Sequence, residues 1–330
     1  MATEDELALT PEKPSGPRTG LYLLAWLTFL IAAVALIARF IPVTNHVVLI
    51  LAATSPYLMI GAVISALILL LTRQWWVAAA AVILVAAAVS VELPTFIGSV
   101  GSQPNTVPIR ILAANVHEGT ADPQELAAIA RDRADVLVVV ELTPELAQRL
   151  TREGLDSAFP YKTVDAQPYA AGVAIWSRFP MSRSTPVAGY QLGVISAVIR
   201  APQAASDTTV LAAHLTGPWP QPIDDWRRDI TAFPGTMNGA AAGAGTGAVI
   251  VAGDFNASMD MQPFRQLLAE NFRDAAEQSG AGLTPTYPAE RPLIGIDHIL
   301  TFNSSASDAQ TVRIPGSDHR GIWAVVHVPR

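Results

Sequence analysis

The 330-residue chain contains no cysteine. That excludes a disulfide framework, a cysteine-based metal site and a thiol nucleophile, and leaves the compartment open. Lysine is nearly as scarce, with only Lys13 and Lys162. Charged residues of all kinds make up 15% of the chain, against about 25% in soluble domains. No Lys-rich run exists, and the net charge is −7. Both weigh against high-affinity duplex binding, which depends on cationic side chains neutralising phosphates. An Arg stripe assembled by folding would still be compatible with nucleic acid.

The shortage of charge is concentrated at one end. Four of the 21 Lys/Arg and five of the 28 Asp/Glu precede Asn105, leaving 17 and 23, a net of −6, for the remainder. Three uncharged runs fill the first hundred residues: Leu21–Ala38 (18 residues), Val47–Leu71 (25) and Trp75–Val91 (17). An apolar helix of about 20 residues crosses a hydrocarbon core of ~30 Å. Three such runs in tandem predict transmembrane helices rather than buried core helices, and the later two argue against a cleavable signal peptide in the first. Trp26, Tyr57, Trp75 and Trp76 include aromatics suited to membrane interfaces.

Lys13, Arg18 and Arg73 fall on one side of such an arrangement, and the positive-inside tendency places that side in the cytoplasm. Arg39, near the opposite side, argues weakly against it. The expected layout is a cytoplasmic tail over 1–20, a three-helix transmembrane anchor over 21–93, a Gly/Pro/Ser-rich linker over 94–106 and a domain over 107–330. The protein would then be a multi-pass protein of the cell membrane with its C-terminal domain outside the cytoplasm. Within the apolar runs there is no Lys, Arg, Asp, Glu or His to serve a proton or ion path, so an anchor is a simpler account than a transporter. No protein partner is inferable.

After Asn105 the pattern becomes short β-branched runs with intervening helices. Strands are predicted at 109–114, 135–142, 172–176, 194–200, 209–213, 297–302 and 321–328. Helices are predicted at 123–131, behind Asp122 as N-cap, and at 223–232. The Gly/Ala tract 239–247 is expected to be a mobile surface loop. Many strands and few helices suggest an α/β (α+β) domain built as a two-sheet sandwich.

Several of these strands end in polar residues of one kind. ILAAN ends on Asn115, VLVVVE on Glu141 and VLAAH on His214; VIVAGDFN ends on Asp254 and Asn256, LIGIDH on Asp297 and His298, and GSDHRG places Asp318 and His319 just before a strand. One such residue makes a turn or a cap. Six placements of carboxylates, carboxamides and imidazoles are harder to explain that way, because unpaired buried polar groups are costly. If the strand ends converge, these side chains would satisfy one another and hold a cation.

At these motifs the chain resembles the endonuclease/exonuclease/phosphatase superfamily, the Mg-dependent phosphodiesterases with a DNase I-like fold. The resemblance rests on GDFN (253–256), SDHRG (317–321) and GVAIWSRFP (172–180), and covers about Val107 to Val328. It implies a four-layer α/β sandwich and a metal-dependent hydrolase of phosphoesters. It also implies roles for individual residues: Glu141, Asn115 and Asp318 at the metal, and His214 at the scissile phosphate or leaving group. Asp254 would orient the attacking water, Asn256 would bind phosphate, and His319 would act as general base held by Asp297. Arg178 is the weaker match, to a phosphate-contacting position.

The chemistry fits such a set. A phosphodiester repels hydroxide, so its hydrolysis needs positive charge on the non-bridging oxygens and a water activated in line. Mg²⁺, or Mn²⁺ in its place, takes hard oxygen ligands and keeps several waters. An imidazole with an ordinary pKa of about 6.5 exchanges a proton near neutrality. His298 and His327 are expected to be structural, as is the Asp224/Asp225/Arg227/Arg228 helix face. The substrate stays open between nucleic acid, a phospholipid head group and a small phosphodiester. A catalytically inactive tethered binding domain is the alternative from another class.

Overall fold

A computed structural model describes residues 17–99 and 104–330; most of the tail expected over 1–20 lies outside the described residues. Among them twelve strands are found. In chain order these are β1 (Thr106–Asn115), β2 (Val136–Val140), β3 (Tyr161–Asp165), β4 (Val173–Ser177), β5 (Met181–Pro186) and β6 (Val194–Ile199). There follow β7 (Thr208–His214), β8 (Val249–Asp254), β9 (Arg273–Asp274), β10 (Asp297–Phe302), β11 (Ser305–Arg313) and β12 (Arg320–Pro329). They form two six-stranded sheets, ordered β11-β12-β1-β2-β4-β3 and β5-β6-β7-β8-β10-β9.

The period of two in each strand decides the layering. Val136, Val138 and Val140 point between the sheets with Ile109, Ile111, Val173 and Ile175, and meet Ile195, Ala197, Val210, Ile250 and Ile299 of the other sheet. Leu137 and Val139 point outward and are covered by the helices Pro123–Arg133 and Pro144–Arg152 through Leu126, Ala130, Leu146 and Leu150. On the other outer face, Leu211, Val249, Val251 and Leu300 are covered by Trp226, Ile230, Phe233 and Met237 of the helix Ile223–Ala244 and by Phe264. A strand covered on both sides loses polar/apolar alternation, which is why β2 reads VLVVV, all buried. The result is helix, sheet, sheet, helix: the four-layer DNase I-like sandwich.

The Gly/Ala tract does not form a loop as expected. The helix that starts at Ile223 continues to Ala244. Ala is the strongest helix former, and Ala240, Ala241 and Ala244 pack partly buried on the outer core. The turn is confined to Gly245–Gly247, where a Cβ on Gly247 would lie 2.4 Å from the Asp207 carbonyl oxygen.

The anchor also differs from expectation. Thr19–Ala38 and Trp75–Ile97 are long and apolar enough to cross a membrane. The middle run is not one straight span, because His46–Ala53 and Ser55–Leu71 meet at 64°. The break falls at Thr54–Ser55–Pro56, where proline lacks the N–H that would continue the helix and its ring disfavours the preceding turn. The first arm packs on the domain instead of leaving it: Leu49, Ala52 and Ala53 join the outer core with Phe255 and Phe264. The last helix runs through Pro94 to Ile97, so the linker expected over 94–106 begins as helix. Ser99 N–H then donates to the Gln278 carbonyl and Gly282 N–H to that of Thr95.

A buried ionic cluster closes the seam. Arg39 pairs with Glu92 at 2.9 Å and with Asp260, and Arg265 donates to the Arg39 carbonyl oxygen.

Candidate active site

The polar strand ends do converge. The parallel pair β1–β2 puts Asn115 beside Val140, one residue before Glu141. In the second sheet His214 of β7 is in register with Asp254 of β8, which is opposite Asp297 of β10. His319 enters from the residue before β12. Each side chain thus arrives at the same end of the sandwich, where strands of both stacked sheets terminate.

Asn115 links the sheets. Its amide nitrogen donates to Glu141 Oε1 at 2.9 Å and to Asp254 Oδ2 at 3.0 Å. Its oxygen accepts from the His117 backbone at 2.9 Å, so in this geometry Asn115 orients two carboxylates rather than offering an oxygen to a cation. Glu141 Oε2 accepts the Glu118 N–H at 2.8 Å. Glu141 itself holds φ 62, a left-handed conformation that costs a non-glycine residue of order 1 kcal/mol or more and aims its carboxylate across the cleft. Asn256 also has positive φ, 50. Its N–H donates to Asp254 Oδ1 at 2.8 Å and its side chain to the Leu215 carbonyl at 2.9 Å.

Both imidazoles are held at Nδ1. His214 Nδ1 lies 3.0 Å from the Ala170 carbonyl oxygen and donates to it, which turns Nε2 toward Glu141 at 3.7 Å and Asp254 at 3.8 Å. His319 Nδ1 lies 2.9 Å from Asp297 Oδ2 and 3.8 Å from Asp254 Oδ2. Burial alone would lower the His319 pKa, but the facing carboxylates of Asp297 and Asp254 raise it to about 10. Asp254 moves the other way from a typical carboxylate: burial, then repulsion from Asp297, pushes it up to about 6 against the pull of His319 and His214.

Two triads share Asp254. Ligand atoms of Glu141, His214 and Asp254 lie within 4.8 Å of one another, as do those of Asp254, Asp297 and His319. The buried Asp297 Oδ1 has no hydrogen-bond partner. Three carboxylates, one of them driven toward neutrality by burial and by its carboxylate neighbour, describe a site short of positive charge. An oxygen-rich donor set of this kind fits a divalent cation.

Arg178 is placed elsewhere, and Asp318 lies beside His319 without joining either triad. Arg178 follows β4, which runs antiparallel to β2 with Ser177 opposite Val136 and Val173 opposite Val140. That puts Arg178 at the far end of the sheet from Glu141, where it donates to the Ala134 and Arg131 carbonyls and lies 3.8 Å from Asp135. It is a structural residue, not a contact of this site. Asp318 faces His117 Nδ1 at 3.6 Å and belongs to neither triad. His298 is tied to Asp274 at 2.8 Å and to the Ala257 carbonyl at 3.0 Å, in keeping with a structural role.

Sequence reading missed Tyr287, whose ring centroid is 5.0 Å from that of His319, and Ser317. The Ser317 hydroxyl donates to the Asn115 carbonyl at 2.8 Å and accepts the His319 N–H at 3.0 Å. Ser317 lay inside the SDHRG motif and could have been suspected; Tyr287 is a loop residue with no pattern to reveal it.

Residues 112–319 match the model of the Endonuclease/Exonuclease/phosphatase family. No curated protein matches the chain. Among solved structures, a humanized TDP2 of D. rerio is similar at TM-score 0.55 and 16% identity, over 66% of this chain and 98% of that one. The 3′ phosphatase NExo from Neisseria, bound to product DNA hairpin, reaches TM-score 0.53 at 18% identity, over 66% and 98%. Beta toxin from Staphylococcus aureus reaches 0.51 at 15%, over 66% and 99%. At such identities these likenesses establish the fold, and it is the family match, spanning most of the domain and ending on His319, that makes this chain a member of the Endonuclease/Exonuclease/phosphatase family of metal-dependent phosphoester hydrolases.

Proposed function

We propose that this protein is a bilayer-anchored hydrolase of phosphoester bonds that works with a divalent cation, Mg²⁺ or Mn²⁺. The observation that carries this reading is the sharing of Asp254 between the two triads. Glu141 and Asp254 are the residues to hold the cation, with Asn115 fixing both carboxylates and His214 Nε2 alongside. When bound, the cation would offset charge on the phosphoryl oxygens and ease attack by water.

The protein's own groups supply the rest. His319, held at Nδ1 by Asp297, is placed to accept a proton from the attacking water as general base. Asp254, the corner shared by both triads, is placed to orient that water. Asn256, pinned between Asp254 and Leu215, is placed to hold the phosphate beside it. The apolar helices support a membrane protein, and the Lys/Arg distribution supports a domain outside the cytoplasm.

The test is turnover of bis-p-nitrophenyl phosphate by the full chain in detergent, with Mg²⁺, Mn²⁺ or EDTA. The reading requires cation-dependent turnover that EDTA abolishes. Turnover indifferent to EDTA would reject it. A reporter fused after Arg330 tests the orientation and should be active only outside the cytoplasm.

A further inference from the structure

The anchor is attached to the domain at the edge that carries the catalytic groups. Three loops leave that edge: 215–222 after His214, 255–261 after Asp254, and 283–296 before Asp297. Each meets an anchor element. His46 Nε2 lies 3.0 Å from the Pro218 carbonyl oxygen, and its ring stands perpendicular to that of Trp219 at 4.7 Å. Asp260 pairs with Arg39. The Tyr57 hydroxyl donates to the Leu293 carbonyl at 2.6 Å.

These contacts all lie on one side of the membrane unit. Arg39 follows the first long helix, His46 opens the next, and Glu92 is near the end of the last, which begins at Trp75. The catalytic edge therefore sits against the membrane boundary on the side opposite Arg73. The separation is short. Asp254 is six residues from Asp260, at most ~21 Å of extended chain, and the His319 ring touches Tyr287, whose backbone pairs with Leu293 and Ile294.

The surface between anchor and site is apolar and nearly uncharged. Trp219 is 65% exposed and Leu293 57%, alongside Val47 and Ile50 exposed on the first arm of the bent run. In the three loops the charged residues are Asp260, already paired, Glu290, which meets Arg313, and Arg291. One free-standing arginine is a poor match for a polyanion, which is bound by many cations. Exposed Trp and Leu beside a membrane helix match the boundary between acyl chains and head groups.

From this placement we infer that the substrate is a phosphoester in the head group of a membrane lipid, drawn from the bilayer surface into the cleft between Trp219 and Leu293. The inference rests on the proposed hydrolase and its anchoring. Water's oxygen bonds to phosphorus, one ester P–O bond breaks, and the departing oxygen takes a proton. The products are an alcohol and a phosphomonoester.

The experiment uses the full chain in vesicles of phosphatidylcholine with phosphatidylglycerol or sphingomyelin. Parallel arms offer the soluble glycerophosphocholine and glycerophosphoglycerol, single-stranded and duplex DNA, and bis-p-nitrophenyl phosphate. At least one vesicle lipid should exceed the soluble diesters and DNA in kcat/KM by about 100-fold or more, and Trp219→Ala, checked for folding by its melting curve, should cut that ratio about tenfold. Turnover of bis-p-nitrophenyl phosphate with no vesicle lipid preferred, or a ratio unmoved by Trp219→Ala, overturns the lipid assignment and leaves the hydrolase standing. No cation-dependent turnover of any substrate overturns both.

Discussion

Asp254 and Asp297 are directly opposed across the antiparallel pair β8–β10, each 1% exposed. Two carboxylates facing each other in a buried sheet repel, and only His319 Nδ1, at 3.8 Å and 2.9 Å, stands between them. One imidazole thus faces two buried carboxylates, and their mutual repulsion is only partly offset. Asp254→Asn removes that repulsion and also removes the shared corner of both triads. The variant should lose about 10²–10⁴ in kcat and bind Mn²⁺ more weakly by calorimetry, while its melting temperature in EDTA holds or rises. Wild-type turnover in this variant would show that Asp254 has no part in the reaction.

His319 gives a pH prediction. Its pKa is raised from 6.5 to about 10 by Asp297 and Asp254, despite burial that lowers it. A base with a raised folded pKa adds stability that is complete below the unfolded value near 6.5 and disappears as pH climbs through about 10. In EDTA, His319→Gln should therefore destabilise the protein most at or below pH 6.5, and the gap in melting temperature should close between pH 6.5 and 10. Asp254 acts with the same sign: its pKa, raised from 3.8 to about 6 chiefly by burial, also makes stability fall as pH rises across that lower interval. A cation at the cluster should lower the His319 pKa, so its imidazole resonances should titrate nearer neutrality with Mg²⁺ than with EDTA.

How far the sequence revealed this site depends on what kind of signal each residue left. Asp254, Asn256, His214 and Glu141 each terminate a β-branched run, and a strand end is visible because alternation or buried runs stop there. Convergence itself is not visible, since it is set by register between strands as distant as β1 and β12, where Thr106 pairs with Pro329, 223 residues away. Arg178 shows the consequence: it sits in a plausible motif, yet the antiparallel pairing of β4 with β2 carries it to the wrong end. Pro56 is the signal for the break in the middle apolar run, since a proline cannot continue the preceding helix. Packing of Leu49, Ala52 and Ala53 onto Phe255 and Phe264 left no trace, because lipid and a protein core select the same side chains.

The Arg39 cluster predicts that anchor and domain melt together. Arg39 is 3% exposed and is the shared partner of Glu92 and Asp260. Removing one partner from a buried ionic group leaves the others uncompensated, at about 3–5 kcal/mol. Arg39→Ala should lower the melting temperature of the whole protein in detergent and speed proteolysis within residues 255–261. Arg39→Lys should recover part of the loss, since it keeps the charge without the planar fork. Unchanged melting and proteolysis in Arg39→Ala would mean that the domain is held independently of the helices.

Gly253 precedes Asp254 for a steric reason that yields the sharpest structural test. Its φ is 142, a conformation rarely adopted by other residues, and a Cβ there would lie 2.1 Å from the Ala213 carbonyl oxygen on β7. No rotamer relieves this, because both the added atom and its obstacle belong to backbone-fixed positions. β7 and β8 must move apart, and with them His214 and Asp254, which are paired one position further along. Gly253→Ala should therefore cost more than about 3 kcal/mol, the range of severe backbone strain. Any folded fraction should bind Mn²⁺ more weakly, whereas Gly239→Ala, on an open helix surface, should be neutral or stabilising by up to about 1 kcal/mol. If thermal melting ranks the two variants alike, the close approach of β7 to β8 is not what positions Asp254.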